Sequence, residues 1–259
     1  MCAVNPSHAA LSQALVCGLC VLFVVWAVFS GSDETEQPGT LTICKRPVVH
    51  RTYAGQPRVP AEVWESLGFV VDDASDEQAR TLVAEWGGET LAAYDALPNG
   101  AARADLYRYA VVYKRGGWYA DADVHPLSAM QDLAATRDLV LFHEACGRFW
   151  FNRLKRDLGQ STIMRAPQFK NSAFAAPGGW EPLKIAIEKA VRRARRHEGL
   201  YTEADVIEVT GPGVLTDAIQ LHGAVNPNRD ATIVPCAKQR YFVHDKAGSW
   251  RGAATNTAG

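Results

Sequence analysis

The chain has 259 residues, 47% of them hydrophobic and 21% charged, enough for one domain of about 200 residues with a real core plus a short appendage. Its 27 Lys and Arg nearly balance 28 Asp and Glu, for a net charge of -1. That balance excludes the strong basic excess of a nucleic-acid binder, and the apolar content excludes a largely disordered chain.

The first 40 residues differ from the rest. The stretch "LSQALVCGLCVLFVVWAVF" from Leu11 carries no charge, and its length is close to the ~20 residues a helix needs to cross the hydrocarbon core of a bilayer. "SGSDETEQPGT" follows, acidic and rich in turn formers. We read residues 1–10 as a short cytoplasmic tail, 11–30 as one transmembrane signal anchor, 31–44 as a stem, 45–251 as the folded domain and 252–259 as a flexible tail. A cleaved signal peptide is the competing reading, but the apolar run exceeds the ~7–15 residues of such a segment. Either reading places the domain in a secretory lumen or outside the cell. Cys17 and Cys20 share a helix face within the apolar run and read as membrane packing. Among Cys44, Cys146 and Cys236 one disulfide is possible in an oxidising lumen, with the pair undetermined.

In the domain, Pro47–Thr52 reads as a first strand and Phe69–Val71 as a second. Ser75 with Gln78 forms a capping-box pattern, so "DEQARTLVAEWG" is a helix ended by Gly87. "ETLAAYDAL" is a short helix. Arg103–Arg115 is another, stopped by Gly116 and Gly117, with Leu106, Tyr109, Ala110 and Tyr113 on one face. "WYADADVHPL" begins as a strand, and "DLVLFHEA" and "NSAFAAP" read as two more. "WEPLKIAIEKAVRRARRHEG" is an amphipathic helix with Leu183, Ile187, Ala190 and Val191 inward and the basic run Arg192–Arg196 solvated. "TGPGVLTDAIQLHG" is a helix with Pro212 near its start, and "ATIVPCAKQRYFVH" holds two late strands. Strands alternating with helices predict an α/β layered fold.

The chemistry concentrates in "RADLYRYAVVYKRGGWYADADVHPL", residues 103–127. Asp121 and Asp123 end an apolar strand, where charge is costly to bury. On a continuing strand they would face opposite ways, so they converge only if the chain turns there. At the carboxyl end of a strand in an open α/β sheet, two carboxylates make a hard-oxygen site suited to Mn²⁺ or Mg²⁺ and, through it, to a diphosphate. With 15 Asp in the chain, about one such spacing is expected by chance; a solvated acidic turn would look the same in composition. The context raises the pair above that background. Asp105 and Arg108 share a helix face one Gly-Gly break upstream, which permits either a surface ion pair or a shared pocket with the acids.

The same segment resembles the central motif of the glycosyltransferase family of the DXD sugar-binding region type, which includes initiating α-1,6-mannosyltransferases, inositol-phosphoceramide mannosyltransferases and α-1,4-galactosyltransferases; large clostridial glucosylating toxins share it. "RPVVHRTYAG", "EVTGPGVLTDAI" and "YFVHDKAGSW" are similar, in order, to the family's opening strand, T-G-P segment and closing His-x-x-x-G-S-W. Tyr53 stands where Trp is usual, and Asp245-Lys246 where His-Trp is common. The resemblance implies a GT-A-type nucleotide-sugar-binding sheet flanked by helices, a nucleotide-diphosphate sugar donor (GDP-mannose or a UDP-hexose), a divalent metal, a glycan or glycolipid acceptor, and retention of configuration. By position it makes Asp105, Arg108, Asp121 and Asp123 catalytic. Asp121, Asp123 and His244 become the metal set, with Asp121 also near the ribose. His50 and Tyr53 fall near the base, Asn171 near the sugar beside Asp105 and Arg108, and Ser249 and Trp250 at the diphosphate. It implies a single-pass type II protein of the Golgi or endoplasmic-reticulum membrane with its catalytic domain lumenal. The alternative is a membrane-tethered module that binds nucleotide or glycan without turnover.

Overall fold

In a computed structural model, the described residues are 46–136, 138–144, 165, 167–198, 201–223, 232–235 and 240–245, and they belong to a unit that begins at Lys45. The candidate membrane segment 11–30, Ser249 and Trp250 lie outside them, as do Cys44, Cys146 and Cys236. No helix among the described residues is long and apolar enough to cross a membrane.

In chain order the elements are β1 (Val48–Thr52), α1 (Ala61–Glu65), β2 (Val70–Ala74), α2 (Asp76–Ala84), α3 (Gly88–Ala96), α4 (Gly100–Arg115), β3 (Gly117–Ala120), β4 (Val124–Pro126), α5 (Ala129–Thr136), β5 (Val140–Phe142), β6 (Ala173–Ala176), α6 (Glu181–Arg196), α7 (Glu203–Val209), α8 (Pro212–His222), β7 (Thr232–Val234) and β8 (Phe242–His244). Six strands form a mixed sheet in the order β2-β1-β3-β6-β5-β7. Within it β6 runs against both neighbours and the other pairings are parallel. The carboxyl ends of five strands therefore share one edge with the amino end of β6, the edge where open α/β sheets bind ligands.

Strand alternation divides the core. Tyr119, Leu141, Phe174 and Ala176 pack on one face with residues of α2, α3, α4, α6, α7 and α8. Val49, Trp118, Ala120 and Val140 pack on the other with Trp64 of α1 and Met130 and Leu133 of α5. The chain is thus an α/β protein with a mixed sheet covered by helices on both sides.

Local signals account for most boundaries. The capping box at Ser75 forms on both sides, Gln78 N to Ser75 Oγ at 3.2 Å and Ser75 N to Gln78 Oε1 at 2.8 Å. The helix it opens ends at Ala84, and Gly87, with φ 101°, instead precedes α3. Helix α4 begins at Gly100 rather than Arg103, because Asn99 caps it by accepting from Ala102 N at 2.9 Å. The expected second strand runs Val70–Ala74, and "DLVLFHEA" contributes only Val140–Phe142 to the ladder. Helices α1, α5 and α7 were not expected; α7 opens with a capping box between Thr202 and Asp205. Gly116 and Gly117, with φ of 67° and 97°, end α4 and start β3. A Cβ on Gly116 would lie 2.8 Å from Gly178 N, and one on Gly117 2.9 Å from Val48 O, so backbone fills both sides of the break.

One irregularity sits on the ligand edge. Val140 faces Ala175, yet His143 faces Phe169, three steps along one chain against six along the other. The surplus residues make the pairing irregular between Phe169 and Ala175, on the side of β6 that faces β5, as bulges do.

Candidate active site

Asp121 is the first residue beyond β3, and its N–H donates to Ser172 O at 2.8 Å. Val124 N then donates to Asp121 O at 3.0 Å, closing a tight turn over Asp121–Val124. Beyond it, β4 pairs with β8, setting Val124 opposite His244, and Asp245 N donates to Asp123 O at 3.2 Å. The turn removes the alternation that would have pointed the two acids apart. Ligand atoms of Asp121, Asp123 and His244 all lie within 4.8 Å of one another. His244 Nε2 is 3.2 Å from Asp123 Oδ1 and 3.8 Å from Asp121 Oδ2.

Helix α4 supplies the second half. Arg108, 4% exposed, has Nη2 3.0 Å from Asp105 Oδ1 and Nη1 3.2 Å from Asp121 Oδ1. Its Nη1 also donates to Asn171 O at 2.7 Å, and its guanidinium carbon lies 4.6 Å from the centre of the Tyr119 ring. Asp105, 5% exposed, accepts from Asn171 Nδ2 at 2.8 Å and from the Thr210 hydroxyl at 2.8 Å. Tyr119 donates to Asp121 Oδ1 at 3.0 Å. A surface ion pair of Asp105 with Arg108 is thereby ruled out: both are buried and joined to the acid turn.

Burial pushes the Asp105 carboxyl up to about 6, against the opposing pull of Arg108 and of its hydrogen bonds. Burial also raises Asp121, opposed by Arg108 and His244. The Tyr119 hydroxyl is held well above its usual range by the same burial. The Arg108 guanidinium faces the carboxylates of Asp105 and Asp121, and Asp123 adds a third carboxylate beside Asp121, so acidic groups outnumber the guanidinium here. A divalent cation would cancel that excess.

The residues fit such an ion. Donors bonded at about 2.1 Å stand about 3 Å apart when adjacent on an octahedron, which matches the His244–Asp123 separation. Two carboxylates with one imidazole form a mixed oxygen–nitrogen set suited to a divalent first-row metal. Asp121, Asp123 and His244 would hold it, and remaining positions would fall to water or phosphate oxygens.

Other candidate residues lie outside this cluster. His50 is 2% exposed; its Nε2 donates to Gly116 O at 2.9 Å and its Nδ1 is 2.7 Å from Asp72 Oδ2, so both ring nitrogens contact protein. Tyr53 lies just past β1 on the ligand edge, and its hydroxyl donates to Asp73 Oδ2 at 3.1 Å. Three groups that sequence reasoning passed over support the site. Arg51, fully buried, grips Asp73 through two bonds of 2.7 Å and donates to Val59 O at 2.7 Å; Val59 N in turn donates to Ala122 O at 3.0 Å, inside the acid turn. Tyr119 and Thr210 contact the acids directly. Only the Thr-Gly-Pro string hinted at any of them.

Residues 63–140 match the family described as "Glycosyltransferase sugar-binding region containing DXD motif". The Initiation-specific alpha-1,6-mannosyltransferase of Schizosaccharomyces pombe (strain 972 / ATCC 24843) is 27% identical over 158 residues, which is 56% of this chain; the chain spans 38% of that protein's length. Among solved structures, PaToxG Glycosyltransferase aligns over 68% of this chain and 69% of its own, with a TM-score of 0.45 and 15% identity. The UDP-bound glycosyltransferase domain from the YGT toxin aligns over 63% of this chain and 52% of its own, with a TM-score of 0.36 and 10% identity.

Proposed function

With residues 63–140 carrying the sugar-binding region of the DXD glycosyltransferase family, we propose that the chain is a metal-dependent glycosyltransferase of GT-A type that moves a hexose from a nucleotide-diphosphate sugar to a glycan or glycolipid. The observation that carries this reading is the convergence of Asp121, Asp123 and His244 at the carboxyl end of β3, next to the buried Asp105–Arg108–Asn171 group.

In this reading Mn²⁺ or Mg²⁺, when bound, binds diphosphate oxygens and offsets the charge that builds as the nucleotide departs. The protein's own groups do the rest. Arg108 is a fixed positive charge held by five contacts, so it stabilises developing negative charge with little reorganisation. Asp105 and Asn171 offer polar atoms to the hydroxyls of the donor hexose. Asp121 and Asp123, two residues apart in one turn, cannot flank a sugar ring as the paired carboxylates of a glycosidase do. Attack from the leaving-group side, with a phosphate oxygen taking the acceptor's proton, gives retention. GDP-mannose heads the donor candidates, followed by UDP-hexoses. The uncharged segment 11–30 supports a single-pass anchor with the domain in the Golgi or endoplasmic-reticulum lumen.

The test is nucleotide-sugar turnover by the full chain with and without Mn²⁺, using GDP-mannose, UDP-galactose and UDP-glucose. Release of nucleoside diphosphate should require Mn²⁺ and fall at least about 100-fold in Asp123→Ala. Full turnover in Asp123→Ala would overturn the assignment. Glycan binding without donor consumption would identify a binding module instead.

A further inference from the structure

Asp105 and Asn171 belong to a closed ring of buried polar groups whose other members, Tyr109 and Thr210, have no part in the reaction above. The Asn171 amide donates to Asp105 Oδ1 at 2.8 Å and to the Tyr109 hydroxyl at 3.2 Å. Tyr109 lies 3.0 Å from the carbonyls of both Thr210 and Gly211, to which its hydroxyl donates. Thr210 closes the ring by donating to Asp105 Oδ2 at 2.8 Å. Thr210 and Tyr109 are fully buried, and Asn171 is 8% exposed. The Thr210 hydroxyl is also 3.2 Å from Val206 O, but it has one proton, and the nearer, charged oxygen takes it.

The backbone here is built to aim that hydroxyl. Thr210 ends α7 and Gly211 caps α8, with Pro212 as the first residue of α8. Gly211 N bonds Val206 O at 2.9 Å, and a Cβ on Gly211 would sit 2.9 Å from Ile207 Cα. Only glycine lets the two helices meet this closely. Arg193 ties them from outside, donating to Glu208 O at 2.5 Å and lying 2.5 Å from Asp217 Oδ2. Among the described residues, Asp105 Oδ1 takes contacts from Asn171 and Arg108, and Oδ2 takes a bond from Thr210.

We propose that Thr210 is a positioning residue: its hydroxyl fixes the Asp105 carboxylate in the orientation in which it meets one hydroxyl of the donor sugar. The sugar contact rests on the glycosyltransferase reading; the tie between Thr210 and Asp105 does not.

Two measurements on the full chain separate these. The first follows the Asp105 side-chain carboxyl by ¹³C NMR titration in wild type, Thr210→Val and Thr210→Ser. Arg108, Asp121 and Tyr109 act on the carboxyl in all three, so their fields are common. Losing a bond to the ionised form should raise its midpoint by about one to two pH units in Thr210→Val, and Thr210→Ser should restore it. An unchanged midpoint in Thr210→Val overturns the proposal whatever reaction the chain performs. The second compares binding of UDP-glucose and GDP-mannose with that of UDP and GDP, with Mn²⁺ present. Thr210→Val should lose about tenfold for the nucleotide sugar that wild type binds and nothing for its nucleoside diphosphate, with Tyr109→Phe, which removes the next link, showing the same split. Equal loss for both ligands would mark general damage and overturn the positioning role. If wild type binds no nucleotide sugar, the glycosyltransferase reading fails, and the sugar contact with it, while the titration still decides the tie.

Discussion

Asp105→Asn should make this protein more stable at neutral pH while disabling it. Folding raises the Asp105 pKa from 3.8 to about 6, with burial as the main cause. At about 1.4 kcal/mol per pH unit, keeping the buried group ionised costs about 3 kcal/mol. The sign follows from proton binding. Between pH 3.8 and about 6 the folded state holds a proton that the unfolded chain has released, so stability falls as pH rises through this window. The cost is complete above the folded pKa and absent below the unfolded one. An asparagine fits the same bonds: its oxygen can accept from Asn171 and Arg108 where Oδ1 now does, and its amide can face Thr210, whose proton then turns to Val206 O at 3.2 Å. The variant should therefore gain about 1–3 kcal/mol at pH 7.5, the lower figure applying if the asparagine amide fits the Thr210 side less well than a carboxylate oxygen, and nearly nothing at pH 4. Urea denaturation followed by tryptophan fluorescence at both pH values measures the difference, with an unchanged m-value as the check that the denatured state is the same. A variant less stable than wild type at pH 7.5, or one whose difference is the same at pH 4, would refute the reasoning. Donor turnover should fall by at least about 100-fold in the same protein.

Two further substitutions probe the supports of the site. Arg51→Met leaves Asp73 without its two bonds and Val59 O without a donor; because Asp73 is 27% exposed, the loss should be about 2–4 kcal/mol by urea denaturation. The Mn²⁺-induced rise in melting temperature should shrink with it, since Val59 holds the acid turn at Ala122; a loss under about 1 kcal/mol would show that Arg51 is no brace. Gly211→Ala drives a methyl against backbone atoms 2.9 and 3.1 Å away, which should cost about 1–3 kcal/mol and weaken nucleotide-sugar binding as Thr210 is displaced; a neutral result would show that the two helices can part freely.

The local elements and the chemistry of the acid turn can be read from residue order alone. Alternating apolar residues, the Ser75 capping box and the Gly116-Gly117 break act over a few residues, so they are visible without a fold. Asp105, Arg108, Asp121 and Asp123 fall within 19 consecutive residues, and one helix–strand unit brings them together. The short helices α1 and α7, five and seven residues long, escaped because so short a segment shows no periodicity and is held by packing. Which distant groups support the acids emerges only from the packed fold. Thr210 lies 105 positions from the carboxylate it bonds, and Arg51 reaches the acid turn only through the backbone of Val59; Asn171, 66 positions from Asp105, was expected from the family resemblance, but its bond to Asp105 was not. Helix packing, a bulge and a small two-stranded sheet bring these residues in. Their identities were in plain view, but a hydrogen bond depends on position to within a few tenths of an ångström, and only the packed core fixes that.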